Sequence, residues 1–122
     1  MRTLGVHLLE VVAGRVTLEL PVSAAVTQQN GFVHAGAISS VLDSACGYAA
    51  LSLMPLGSDV LAVEFKVNFV APATGVSVHA VAEVVKSGRT VSVCRADAFA
   101  VAADGSRKLV ALMQATMIRR DA

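Results

Sequence analysis

One stretch of this chain carries the apolar period of a helix, and almost everything around it alternates like strand. Ile38, Val41, Leu42, Ala45, Ala49 and Leu53 fall at i, i+3, i+4, i+7, i+11 and i+15, which is one continuous apolar face. The period starts at about Gly36, and Pro55 and Gly57 end it. The other side of the same helix carries Gly36, Ser40, Asp43 and Gly47 at four- and three-residue steps. A solvated helix face would carry Lys and Glu. A stripe this small predicts that another backbone comes close, with one carboxylate beside it.

Before the helix, Val16 to Val22 alternates strictly, with apolar residues at even positions. Val6 to Val12 reads as its partner strand, with a turn at Ala13-Gly14, and Pro21 belongs at a strand end because it donates no ladder bond. After the helix come Leu61 to Phe69, Val76 to Val85, Thr90 to Val101 and Leu109 to Ile118. Ser87-Gly88 predicts a two-residue hairpin between the second and third of these. The order β-β-α-β-β-β-β predicts an α+β chain with a mostly antiparallel sheet of five to six strands. Residues 23 to 35 break the pattern. Asn30-Gly31 is a common hairpin turn, but no strand pattern follows it.

The chain has 122 residues, enough for one domain spanning 1–122. Residues of the set AVILMFWYC make up 55%, yet aromatics are 4% and charged residues 16%, against about 25% charged in a typical globular domain. A formal charge of +1 gives no basic field for nucleic acid. No apolar run reaches the ~18 residues of a membrane helix. A mean hydropathy of +0.66 therefore predicts apolar surface covered by a second chain. Cys46 and Cys94 form no disulfide framework and no metal-ligand spacing, so neither a metal nor a cofactor is expected. Residues 1 to 10 show no clean apolar signal-peptide core, and the expected location is cytoplasmic.

No nucleophile elbow, phosphate loop or dinucleotide fingerprint is present. His7 and His79 sit alone in strand patterns and are expected to be structural or surface residues. What remains is Asn30-Gly31-Phe32-Val33-His34-Ala35-Gly36, followed by Asp43 on the helix. A helix N-terminus presents free backbone N–H groups and a positive dipole end, which can hold a carbonyl oxygen as charge builds on it. Burial of Asp43 would raise its pKa and make it a better base. With the Asn30 amide and the His34 imidazole nearby, the set suits hydrolysis of an activated acyl group. The competing interpretation is that Asp43 and His34 are ordinary buried polar groups and Asn30 a turn residue.

The segment from Asn30 through His34, Gly36 and Asp43 to Gly47 resembles that of the hotdog-fold thioesterases, in the phenylacetate-type (PaaI-like) subgroup. Val63 to Ala73, with Asn68-Phe69 and Pro72-Ala73, resembles the family's next strand. Lys86-Ser87-Gly88-Arg89-Thr90 resembles its basic hairpin, and Leu109-Val110-Ala111 its final strand. The resemblance implies a sheet wrapped around one long central helix. It implies homodimers paired edge to edge, assembled as a dimer of dimers, with active sites at the dimer interface. Asp43 would be general base or nucleophile, and Asn30 of the opposite protomer would place water or the thioester. The N–H groups at Ala35 and Gly36 would polarise the carbonyl, and His34 would support that loop. Lys86, Gly88 and Arg89 would meet the phosphates of coenzyme A, which is part of the substrate.

Two positions depart from the family pattern. Ala35 replaces the first glycine after the histidine. Ala62 stands where many relatives place Ser or Thr, so a hydroxyl that could orient water is missing. Any N-terminal extension covering the pocket is expected to be short or absent. The implied activity is acyl-CoA hydrolysis of a small aryl or a short- to medium-chain substrate. The rivals are an acyl carrier protein thioesterase or hydratase on the same fold, and a non-catalytic acyl-CoA-binding module, which Ala35 and Ala62 keep open.

Overall fold

The computed structural model describes residues 4–121, so the first three residues of the stretch searched for a signal peptide lie outside it. The elements are β1 (His7–Val12), β2 (Arg15–Pro21), a 3-10 turn (Ala24–Val26), α1 (Ala35–Leu51), β3 (Ser58–Phe69), β4 (Ser77–Ser87), β5 (Val91–Val101) and β6 (Arg107–Asp121). All strand pairs are antiparallel, in the order β1-β2-β4-β5-β6-β3. The sheet curls around α1, which packs against β2, β3, β4, β5 and β6. This is the hotdog arrangement, with six strands. No helix among the described residues is long and apolar enough to cross a membrane.

The low aromatic content has a packing reason. The inner face of the sheet is lined by buried alanines, among them Ala80, Ala82, Ala96, Ala98, Ala111 and Ala115. The helix answers with Ala45, Ala49 and Ala50 beside Ile38, Val41 and Leu42. Small side chains on both sides let helix and sheet approach closely, and larger residues such as Leu20, Met113 and Met117 fill the flanks.

The structure differs from the sequence expectations in four places. The helix stops at Leu51, ahead of Pro55, and Leu53 is left 43% exposed. Ser52 explains the early stop: its hydroxyl donates to the Ala49 carbonyl (2.6 Å) and accepts from the Gly14 amide (2.8 Å), tying the helix end to the β1–β2 hairpin. The β4–β5 connection is Gly88 to Thr90, not Ser87-Gly88, and Gly88 N–H donates to the Val91 carbonyl (2.8 Å). A Cβ on Gly88 would lie 2.6 Å from that carbonyl oxygen, so the turn closes only around glycine.

Asn30-Gly31 does form a hairpin turn. Gln28 N–H donates to the Phe32 carbonyl (2.8 Å), Thr27 and Val33 form a single bridge, and Gly31 takes φ +87°. It escapes the alternation pattern because α1 begins at Ala35, before a ladder can extend. Finally, among the described residues no backbone beyond α1 itself comes within 4 Å of a Cβ placed on either glycine of the small stripe. Gly36 and Ser40 are exposed, and only Gly47 has a neighbour, the Val60 side chain, at Cβ distance (3.9 Å).

Candidate active site

The start of α1 is pinned on both sides. His34 N–H donates to the Val26 carbonyl (2.8 Å) and Val33 N–H to the Ala73 carbonyl (3.0 Å). The His34 carbonyl accepts from the amides of Ala37 and Ile38, both at 3.1 Å. The N–H groups of Ala35 and Gly36 thus open the helix with no intrahelical carbonyl ahead of them. The His34 imidazole is exposed and does not cap the helix. The Ala35 substitution leaves this backbone geometry intact, as a helical residue with no positive φ.

A cavity of about 990 Å³ lies over this helix start, lined by Gln28, Asn30, His34, Ala35, Phe69 and Pro72 among others. Asn30, His34 and Ala35 thus line one cavity. The structure adds Gln28, which the sequence analysis passed over. It is half-buried at the cavity wall, and its Oε1 accepts from the backbone N–H of Asn30, which holds its carboxamide in place. Asn30 itself is exposed at the turn. Gln28 was legible only as part of a polar run, since nothing in its spacing separates a held amide from a solvated one.

Asp43 lies eight residues beyond Ala35, about 12 Å along the helix axis. It lines a separate cleft of about 180 Å³ between α1 and β3, with Ser44, Gly47, Tyr48, Val60 and Ala62. Its carboxylate is half-buried, and among the described residues it accepts no hydrogen bond and meets no cation. Desolvation pushes its pKa above the ordinary value. Ala62 faces the same cleft, so the missing hydroxyl is missing beside the carboxylate. One chain therefore does not unite Asp43 with Asn30, His34 and Ala35.

Lys86, Gly88 and Arg89 are exposed and line neither cleft. They sit at the other end of the sheet, where Val84 N–H donates to the Gly14 carbonyl (2.9 Å) and Gly14 holds Ser52 at the end of α1. His79 pairs with Glu19 on the outer sheet face (3.1 Å), and His7 is exposed on β1. Both cysteines are buried thiols. Burial pushes Cys46 far up and Cys94 to about 11, and the Cys94 S–H donates to the Cys46 carbonyl (3.5 Å). Neither is a nucleophile at neutral pH. Among the described residues no group of three His, Cys, Asp or Glu side chains is placed to hold a metal.

Residues 30–102, which hold the turn, the helix and the basic hairpin, match the thioesterase superfamily. The chain belongs to the thioesterase superfamily. It is 51% identical to a thioesterase family protein from Silicibacter pomeroyi, with a TM-score of 0.96, covering 100% of this chain and 89% of that one. It is 26% identical to the phenylacetic acid degradation protein PaaI of Thermus thermophilus, with a TM-score of 0.84, covering 98% and 97%. Among curated relatives, SSO2140 of Saccharolobus solfataricus, named for a proposed esterase activity, is 31% identical over 90 residues. That match takes in 74% of this chain and 64% of the relative, so the chain spans just under two thirds of it.

Proposed function

We propose that the protein is an acyl-CoA thioesterase that hydrolyses small aryl- or short- to medium-chain acyl-CoA at sites shared between two protomers. The observation that carries this is Asp43: a half-buried carboxylate with no partner among the described residues and a raised pKa, inside a thioesterase superfamily domain. A structural carboxylate in that position would be tied by hydrogen bonds, because desolvating it otherwise costs stability. This one is left with its lone pairs open to a cleft.

The two-chain site follows from the sheet edge. β3 lies at one edge and offers an unpaired ladder along Ser58–Phe69, flanked by exposed Leu61, Val63 and Phe65. Antiparallel pairing of β3 with its copy about a two-fold axis sets the Ser58 end of one strand beside the Phe69 end of the other. The Phe69 end carries the helix start, Gln28 and Asn30; the Ser58 end carries the basic hairpin of the partner. Asp43, midway along α1, then comes within reach of the partner's helix start, which its own chain holds about 12 Å away. The S. pomeroyi and T. thermophilus relatives support the chemistry by family.

In this site the N–H groups of Ala35 and Gly36 polarise the thioester carbonyl, an amide from Gln28 or Asn30 orients it, and His34 holds the loop by its backbone. Asp43 of the other protomer removes a proton from water, whose oxygen adds to the carbonyl carbon. The C–S bond then breaks and the CoA thiolate takes up the proton, leaving acid and free thiol. Direct attack by the Asp43 carboxylate is the alternative route, and a single turnover in H₂¹⁸O separates the two by whether label enters the Asp43 side chain or only the product acid. Lys86 and Arg89, with Gly88 shaping their turn, meet the phosphates of CoA. The test is thiol release from a panel of acetyl-, hexanoyl-, decanoyl- and phenylacetyl-CoA. Release from at least one supports the proposal, and binding without release from any supports the acyl-CoA-binding module instead.

A further inference from the structure

A second cavity, of about 540 Å³, lies between the β1–β2 hairpin and the last turns of α1. Val6, Leu8, Val11, Val16, Leu18 and Leu51 form its walls, and among the described residues no charged side chain lines it. Its volume is within the usual range for small-molecule sites, about 300–1,000 Å³. The one hydroxyl in its lining besides tyrosine, on Ser52, is already engaged by Ala49 and Gly14. Leu8 and Val11 remain 59% and 52% exposed, so the wall is apolar surface that a ligand would cover.

Tyr48 lines both this cavity and the Asp43 cleft. Ser44 and Tyr48 stand one turn apart on one face of α1, with Ser52 capping its end, so that face runs from beside the carboxylate to the cavity in steps of about 6 Å. The ring stands between a site for a polar reacting group and a chamber that accepts only an apolar one. We propose that this chamber receives the acyl group of the thioester, and that Tyr48 sets which acyl groups pass. The class of acyl group is then an unbranched alkyl or aryl-alkyl chain without charge, longer than acetyl. Tyr48 is a specificity residue and takes no part in bond making. The proposal rests on the thioesterase function for the identity of the head group, but the occupancy of the chamber can be tested without turnover.

The chain supplies its own probe. It holds one tyrosine and no tryptophan, so all near-ultraviolet protein emission excited at 280 nm comes from Tyr48. S-alkyl pantetheine thioethers, which cannot be hydrolysed and lack the absorbing adenine, are titrated from methyl to decyl. The emission should change saturably, and affinity should tighten by about fourfold for each added methylene until the chamber is full. Val11→Phe, at the exposed rim, should stop that tightening at a shorter chain while leaving the methyl compound within twofold. A flat emission across the parent series overturns the proposal, as does a Val11→Phe protein that weakens methyl and decyl equally. The parent series is decisive by itself if the variant fails to fold. The absence of thiol release from every acyl-CoA would overturn the thioesterase function and leave the alkyl series untouched.

Discussion

Asp43 combines partial burial, no partner among the described residues and a pKa raised by desolvation. Glu19 pairs with His79, and Glu10 and Glu83 with Arg15, all on exposed or half-exposed surface. Desolvation raises the Asp43 pKa, so its charged form is disfavoured in the folded state relative to the unfolded chain. The sign follows: this contribution to stability is full below the unfolded value of about 3.8 and is lost as pH rises through the folded value. Activity runs the other way, because the base must be ionised. kcat/KM should therefore rise with pH through an apparent pKa above 3.8, and a profile flat down to that value would remove Asp43 from the role of base. The amides are separable too. Gln28→Ala should lower kcat at least tenfold and Asn30→Ala less, because only the Gln28 carboxamide is held in place. Steady-state kinetics that leave both variants at the parent rate would place the loop outside the site.

At the scale of elements, the period of α1 was plain in the sequence because it stands alone among alternating strands. The small stripe was plain as a stripe, but its meaning was not. Gly36 and Ser40 face outward, and sequence spacing does not distinguish a helix face packed in its own chain from one awaiting another. The helix end was misplaced because Ser52 is held by Gly14, a contact 38 residues away that no local pattern encodes. In the proposed assembly, the free edge of β3 pairs with its copy. Val63 sits at a bulge in the β3–β6 ladder and is 57% exposed. Val63→Lys places a charge where the partner strand would lie and should yield monomers with at most a few per cent of parent turnover. Sedimentation showing an intact, fully active dimer would refute edge pairing through β3. The β4–β5 hairpin should act on binding alone. Lys86→Ala with Arg89→Ala should raise KM several-fold, less so at high salt, with kcat within twofold. An unchanged KM would make the turn plain solvated surface.

For the whole molecule, the groups assigned to the proposed chemistry lie in two separate clefts of one chain. The order of strands and the single helix were legible because hydrophobic period and turn residues are local. The separation of Asp43 from Ala35 by eight helical residues was also in the sequence, and it is why the proposed site draws on a second protomer. What was not legible is the shape of the space around these residues: that Ala62 shares the Asp43 cleft, and that Tyr48 joins that cleft to an apolar chamber. Those neighbours meet across α1, β1, β2 and β3 and depend on the curl of the sheet. The central claim, that a carboxylate held without partners hydrolyses the thioester, is tested most directly by thiol release from the Asp43→Asn protein. The amide keeps the size of the side chain and removes the uncompensated charge, so the variant should fold, dimerise and bind a non-hydrolysable acyl-CoA thioether as the parent does. Its turnover should fall by about two orders of magnitude or more, the scale of a lost general base. Full turnover in a folded Asp43→Asn dimer would contradict the account.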